Sequence, residues 1–344
     1  MVVFQALTWD ARDSENDEDE YTISIFGRTK EGESVSVTTV FNPYFFVKLW
    51  KNASAISLFD KIKKICKEHA PISYALTDAK DLWGFQNNEL CPFMMLTFKT
   101  HESMRYCDSR LKYTLPEEKW PLKVYEANLE PLLRFMHRTG IQSTGWLDTG
   151  KSCIRAHLSR CDTDLYCTNW KTLKPVQCDE IAPFIIASFD IETNSSTGKF
   201  PDANIKDDAC FQIAVTLKKM GETEIYEKIC LCFKETSGPN VKSFKTEQEL
   251  LIGFRNYMIE KDIDILTGWN IFGFDLEYLY IRATVTGCLE EFCDLSKLKE
   301  RPCELIYKKL SSNALGDNTL KLLPMPGRYI FDMFHDVKRE HKLD

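Results

Sequence analysis

Asp190 and Glu192 stand two residues apart at the end of an apolar segment, residues 184–192. In an extended strand, residues i and i+2 point to one face, so the two carboxylates lie side by side. Neighbouring anions raise each other's proton affinity unless a cation sits between them. Carboxylate oxygen suits Mg2+ or Mn2+. Two such ions about 3.5–4 Å apart can activate a water and stabilise the leaving oxygen of a phosphodiester. A bare Asp-x-Glu is also what any strand emerging into solvent presents. A third acid, Asp275, follows an apolar strand closed by Asn270 and a turn containing Gly273. It opens a helix, where the helix dipole favours an acid in the first turn, so Asp275 alone has an ordinary structural explanation.

What relates the three acids is the order of elements around them. Residues 184–192, 209–219 and 224–234 read as strands, with Met220-Gly221-Glu222-Thr223 as the turn between the last two. Thr246 followed by Glu249 is a capping box that opens a helix with Leu250, Leu251, Phe254, Tyr257 and Met258 on its apolar face. Residues 264–270 form a short strand, and 274–286 a helix stopped by Gly287. Three antiparallel strands, a helix, a strand and a helix is a ribonuclease-H-like order, which places the second acidic strand beside the first and brings Asp275 towards Asp190. Upstream, residues 4–9, 21–26, 35–50 and 93–98 read as strands. Residues 55–68 and 130–139 read as helices, the second with Leu132, Leu133, Phe135 and Met136 inward and Gly140 as its stop. The expected fold is therefore a β-rich α+β N-terminal domain over residues 1–182. An α/β ribonuclease-H-like domain over residues 183–344 follows, incomplete at its C-terminus.

Composition narrows the function. The net charge of -7 argues against a protein that only coats nucleic acid, which would be basic, but agrees with clustered carboxylates that hold metal. The acidic run 13–20 reads as a solvated loop. Thirteen cysteines without a Cys-x-x-Cys pair or a signal peptide read as reduced core thiols of an intracellular protein. Cys153, His157, Cys161 and Cys167 lack zinc-knuckle spacing. No apolar run reaches the ~18 residues of a membrane helix, so no membrane partner is expected. Lys297, Lys299, Arg301, Lys308 and Lys309, and then Lys338, Arg339 and Lys342, read as solvated basic surface or as flanks of a nucleic-acid path. Phe41 to Phe46 and Trp83 to Phe85 read as core rather than as base-stacking platforms.

On these words the chain resembles the family B DNA polymerases of the delta type. Phe189-Asp190-Ile191-Glu192 looks like their first exonuclease motif, and Asn270 with Phe274-Asp275 like their second. Gly198-Lys199-Phe200-Pro201, Phe211-Gln212-Ile213-Ala214, Tyr125-Glu126-Ala127-Asn128, Leu133-Arg134-Phe135-Met136 and Gly327-Arg328-Tyr329-Ile330-Phe331-Asp332-Met333 are similar to delta-type words. The resemblance spans about residues 40 to 344. It implies a 3′→5′ proofreading exonuclease with two Mg2+ or Mn2+ ions. In that scheme Asp190 bridges both metals, Glu192 binds one and orients the attacking water, and Asp275 holds the second. Asn270, Phe274 and Phe200 contact a single-stranded 3′ end by stacking and backbone contacts. The implied partners are primer-template DNA, the palm, fingers and thumb of the same polymerase, and a sliding clamp or accessory subunit. The implied location is the nucleus or a viral replication site, and the source a eukaryote or a large DNA virus.

The family's third exonuclease motif, a Tyr-x-x-x-Asp, belongs about a hundred residues beyond the second, past Asp344. Tyr74 with Asp78, and His157 with Asp162, have matching spacings but precede Asp190, so they read as coincidence. Asp332 reads as structural. Three of four expected carboxylates are thus present, and the fragment is expected to be weak or inactive as a nuclease and unable to polymerise. The alternative is a non-catalytic DNA- or subunit-docking module.

Overall fold

The computed structural model describes residues 1–14, 20–50, 52–82, 84–113, 122–312 and 316–341. Trp83 and Lys342 lie outside the described residues, as does most of the acidic run 13–20.

The N-terminal half is built on strand hairpins. Val3–Asp13, Tyr21–Arg28 and Ser34–Val40 form an antiparallel meander, extended on both sides to seven strands by pieces from residues 146–176. Alternating residues Phe4, Ala6, Ile23, Ile25, Val35 and Val37 meet Phe41 and Phe135 in its core. A second sheet of four strands, with Tyr44–Lys48 and Cys91–Thr97 at its centre, packs on Ala55–Cys66 and His101–Tyr113. Phe41 and Phe45 are core residues as expected, but Phe85 is 95% exposed, because its loop extends past the edge strand Ser73–Ala79. In the helix Pro131–Thr139 the inward face runs through Arg134 and Phe135. Leu133 therefore points outward, contrary to the expected stripe.

The C-terminal half has six strands, in the spatial order Val241–Phe244, Ile225–Phe233, Cys210–Lys219, Ile185–Thr193, Ile265–Gly268 and Tyr329–Asp332. The second, third and fourth are antiparallel neighbours, and the last three run parallel. The helices Glu247–Glu260 and Asp275–Val285 cover one face. There Phe189 and Ile191 meet Leu250, Phe254, Leu276 and Leu279, each burial contributing about 1.5–3 kcal/mol. The capping box of Thr246 and Glu249 is formed. Gly140 and Gly287 stop their helices at φ +73° and +78°, where a glycine carries no Cβ penalty.

One glycine sets how closely the two acidic strands approach. A Cβ on Gly268 would lie 2.6 Å from the Phe189 carbonyl oxygen and 2.5 Å from the Ile271 side chain. Gly268→Ala is expected to destabilise the chain by about 1–3 kcal/mol, since backbone must move to admit the methyl group. A urea-unfolding midpoint equal to that of the parent would contradict this.

The basic stretch at 297–309 divides. Lys299 and Lys308 are exposed, but Lys297 is fully buried between Asp262 and Asp264. A basic run in sequence does not show which of its members has acids waiting in the interior. Among the described residues no helix is long and apolar enough to cross a membrane.

Candidate active site

Along Ile185–Thr193, Ala187, Phe189 and Ile191 face the core, while Asp190 and Glu192 are exposed on the opposite face. The neighbouring parallel strand pairs only with Ile186, Ala187 and Ser188 before ending at Gly268. The strand edge beside Asp190 is thereby left open, and the turn after Gly268 fills it. Asn270 takes a left-handed conformation, φ 60°, and its carbonyl accepts the N–H groups of Gly273 and Phe274 at 2.9 and 3.1 Å. This tight turn delivers Asp275 as the first helical residue.

Asp275 is buried. Loss of hydration, then the negative charge of Asp190 and more weakly that of Asp332, push its carboxyl up to about 7. The backbone N–H groups of Asp275 itself and of Ile191 oppose the rise. Its Oδ1 is buried and has no hydrogen-bond partner, and the same is true of the hydroxyl of Thr267 on the adjoining strand. Orphaned buried oxygens are rare in folded proteins and call for a missing partner. Here the pair is acid against acid, so the partner that fits is a cation. Glu192 stands further along its strand. Among the described residues no three Asp, Glu, His or Cys side chains converge closely enough to hold a metal by themselves. Asp190 and Asp275 are thus brought together, with Glu192 on the same strand face beside them.

Asp332 holds the turn. Its two carboxylate oxygens accept the backbone N–H groups of Asn270 and Phe272, both at 2.9 Å, and its Oδ1 also takes that of Phe334 at 3.0 Å. The structural role expected of it is specifically to clamp the loop that carries Asn270 and Asp275.

Phe200 is 78% exposed, and its ring meets that of Phe274 edge-on at 5.3 Å. Phe274 in turn contacts Tyr278 at 4.9 Å. The loop that presents Phe200 is held from beneath by side chains with no signature in the sequence. Asp208 accepts the N–H groups of Ser196 and Asp202, and these donors hold its carboxyl below the usual range, the Asp202 N–H most strongly. Arg282 donates to the carbonyls of Ala203, Ile205 and Lys206 and forms a buried ion pair with Glu247. A hairpin, Ile306–Ser312 and Gly316–Leu322, closes the other side. Its Lys321 donates to the Gly273 carbonyl at 3.1 Å. The spacing matches at Tyr74–Asp78 and His157–Asp162 lie elsewhere: the first on an edge strand of the four-stranded sheet, the second where Asp162 accepts the Ser34 N–H.

An acid-lined strand end, a tight turn feeding a helix that starts on an acid, and a flanking aromatic pair thus lie together at one end of the mixed six-stranded sheet. Residues 122–344 match the model of the DNA polymerase family B exonuclease domain, and the chain belongs to that family. It is 30% identical to a DNA polymerase of Paramecium bursaria Chlorella virus NY2A, over all of this chain and 38% of that protein. It is 29% identical to the DNA polymerase delta catalytic subunit of Dictyostelium discoideum, over 93% of this chain and 31% of that one. The chain thus spans about a third of the length of these relatives. The structure of a family B DNA polymerase from the archaeon Pyrobaculum calidifontis shares the fold, with a TM-score of 0.62 at 19% identity, covering 98% of this chain and 37% of that one.

Proposed function

We propose that this chain carries the proofreading 3′→5′ exonuclease site of a replicative, delta-type DNA polymerase, with residues 1–182 as its N-terminal domain and 183–344 as its exonuclease domain. The observation that carries the reading is the buried, partnerless Oδ1 of Asp275 facing the charge of Asp190. Asp190, Glu192 and Asp275 are the proposed ligands of Mg2+ or Mn2+, two ions in all. When bound, such ions supply a nucleophilic water at neutral pH and stabilise the leaving oxygen.

The protein's own groups do the rest. Asp275, with its proton held up to about pH 7, is the ligand whose ionisation gates metal entry. Phe274 and Phe200 offer ring faces to the bases of a frayed single-stranded end, a contact tolerant of sequence. Asn270 shapes the turn that presents Phe274, its carbonyl accepting the Phe274 N–H. The proposed partners are a single-stranded DNA 3′ end and the palm, fingers and thumb of the parent polymerase. The place of action is wherever that polymerase replicates DNA, in the nucleus or at a viral replication site.

That no three acidic side chains among the described residues converge as a ready metal site supports a second reading, a docking module that keeps acids without cleaving. One assay separates the two. A 5′-labelled single strand is incubated with Mg2+ or Mn2+, with residues 1–344 and with a version extended past residue 344. The exonuclease reading expects stepwise shortening from the 3′ end that chelation stops and Asp190→Ala removes. If shortening survives in Asp190→Ala, or the extended chain is inert, the reading fails.

A further inference from the structure

The three strands that carry the site share a second feature at their opposite ends. Ile185–Thr193, Ile265–Gly268 and Tyr329–Asp332 run parallel, in the register Ile186–Ile265 and Ile265–Tyr329. Their C-terminal ends carry or lead into Asp190 and Glu192, Asn270 to Asp275, and Asp332. At their N-terminal ends they all meet one residue, Asp264, which is 2% exposed. Its backbone N–H donates to the Ile185 carbonyl at 3.0 Å, and its carbonyl accepts the Tyr329 N–H at 2.8 Å. Its carboxylate Oδ2 accepts the Ile185 N–H at 2.8 Å. Asp264 therefore bonds to both flanking strands at once and sets their register.

A buried carboxylate holds such a post only if its charge is compensated. Two cations do this. Lys297 donates to Oδ1 at 2.6 Å and also reaches Asp262 at 2.8 Å. The other cation comes from the N-terminal sheet: the Nε of Arg28 donates to Oδ2. The guanidinium also bonds the Asp262 carboxylate at 2.7 Å, and the carbonyls of Asp262 and Gly32 at 2.6 Å. Arg28 is itself buried. Three donors of that planar fork thus fix the N-terminal sheet against the end of the second acidic strand, and a fourth ties the fork to its own sheet through Gly32.

We infer that Arg28 is a positioning residue for the exonuclease site: through Asp264 it locks the register of the three strands whose far ends carry Asp190, Asp275 and Asp332. The N-terminal half thereby helps set the geometry of a site to which it contributes no ligand. Strands slip or shift as units, since their side chains alternate with period two and their hydrogen bonds form a ladder. Freeing one end of the ladder is therefore felt at the other.

The inference rests on the proposed site, so its test includes a readout that does not require cleavage. Arg28→Met and Arg28→Lys are compared with the parent chain at a temperature where circular dichroism shows all three folded. Amide hydrogen exchange is followed at 189–192 and 270–275, and Mn2+ affinity by electron paramagnetic resonance. Arg28→Met is expected to speed exchange at these far ends at least tenfold and to weaken Mn2+ binding at least fivefold. Arg28→Lys, which keeps the charge beside Asp264 but loses the fork, should recover part of both. Changes confined to 28–34 and 262–264, with the far ends and Mn2+ affinity as in the parent, would overturn the positioning role. If Arg28→Met does not fold, Asp264→Asn is measured the same way and judged by the same outcomes. Failure of the exonuclease reading shows separately, as DNA cleavage indifferent to Asp190→Ala.

Discussion

Asp275→Asn is expected to make the metal-free chain more stable while abolishing metal-dependent cleavage. The carboxyl of Asp275 titrates at about 7 in the folded chain, against about 4 in an unfolded one. The folded state therefore binds the proton more tightly. Stability on this account is full below pH 4, falls as pH rises between 4 and 7, and stays reduced above 7. At about 1.4 kcal/mol per pH unit, the cost above pH 7 is at most ~4 kcal/mol. Asparagine is close in shape, can still accept the Ile191 N–H and carries no charge to repel Asp190. Urea unfolding at pH 8 without divalent ions should show the variant more stable by about 2–4 kcal/mol, and the gap should close by pH 4. Adding Mg2+ or Mn2+ should stabilise the parent and leave the variant unmoved, because a cation removes the same repulsion in the parent alone. Cleavage should fall about 10^3-fold or more, the worth of several kcal/mol of metal-assisted stabilisation. A variant no more stable than its parent at pH 8 would mean that Asp275 is not under the strain described.

Where the physics is periodic or local, the sequence was legible. Asp190 and Glu192 share a face because strands repeat every two residues. Thr246 and Glu249 cap a helix because the motif closes within four residues, and Gly140 and Gly287 stop helices where φ turns positive. Asp275 was legible as the first residue of a helix after a tight turn, and the order of strands placed it near Asp190. Contacts made by a side chain to a distant backbone were not legible. Glu247 and Arg282, 35 residues apart, join beneath the Phe200 loop, and neither carries a motif. Lys297 looked like one more surface lysine because its acids, Asp262 and Asp264, are neighbours only after folding. Leu133 satisfied a helical stripe, yet of that stripe the helix buries Phe135 and turns Leu133 outward, with Arg134 buried in its place. The four-residue strand Val241–Phe244 is too short and polar for alternation to reveal it. The proposed ligands and the structural role of Asp332 thus lay within reach of sequence reasoning, while the contacts of Glu247, Arg282 and Lys297 did not.

Asp332→Ala is expected to cost about 3–5 kcal/mol and to disable the site without removing any proposed ligand. Two oxygens of Asp332 serve three backbone donors, those of Asn270, Phe272 and Phe334. A hydrogen bond to a charged acceptor is worth about 1.5–3 kcal/mol, and a buried donor left without one costs a further 1–3. Water entering the turn can satisfy some of the three, which keeps the total below their sum. Asp332→Asn separates the two consequences. It retains one acceptor oxygen, so one carboxylate-held donor must be lost or water-bridged, for about 1–2 kcal/mol. It also removes one of the two negative charges that raise the proton affinity of Asp275. Asp275 should then ionise at a lower pH, and metal binding should begin at a lower pH in Asp332→Asn than in the parent. If Asp332 acts only as a clamp, the asparagine variant loses stability with no acid-side shift in metal binding. If it acts only through charge, the alanine and asparagine variants shift alike and neither loses more than about 1 kcal/mol in urea. The geometry predicts both effects, with the alanine variant far the less stable of the two: a turn that projects a buried acid beside another acid must be held by something other than that acid, and the Asn270 and Phe272 N–H groups on one carboxylate, itself fixed by the Phe334 N–H, are what hold it here.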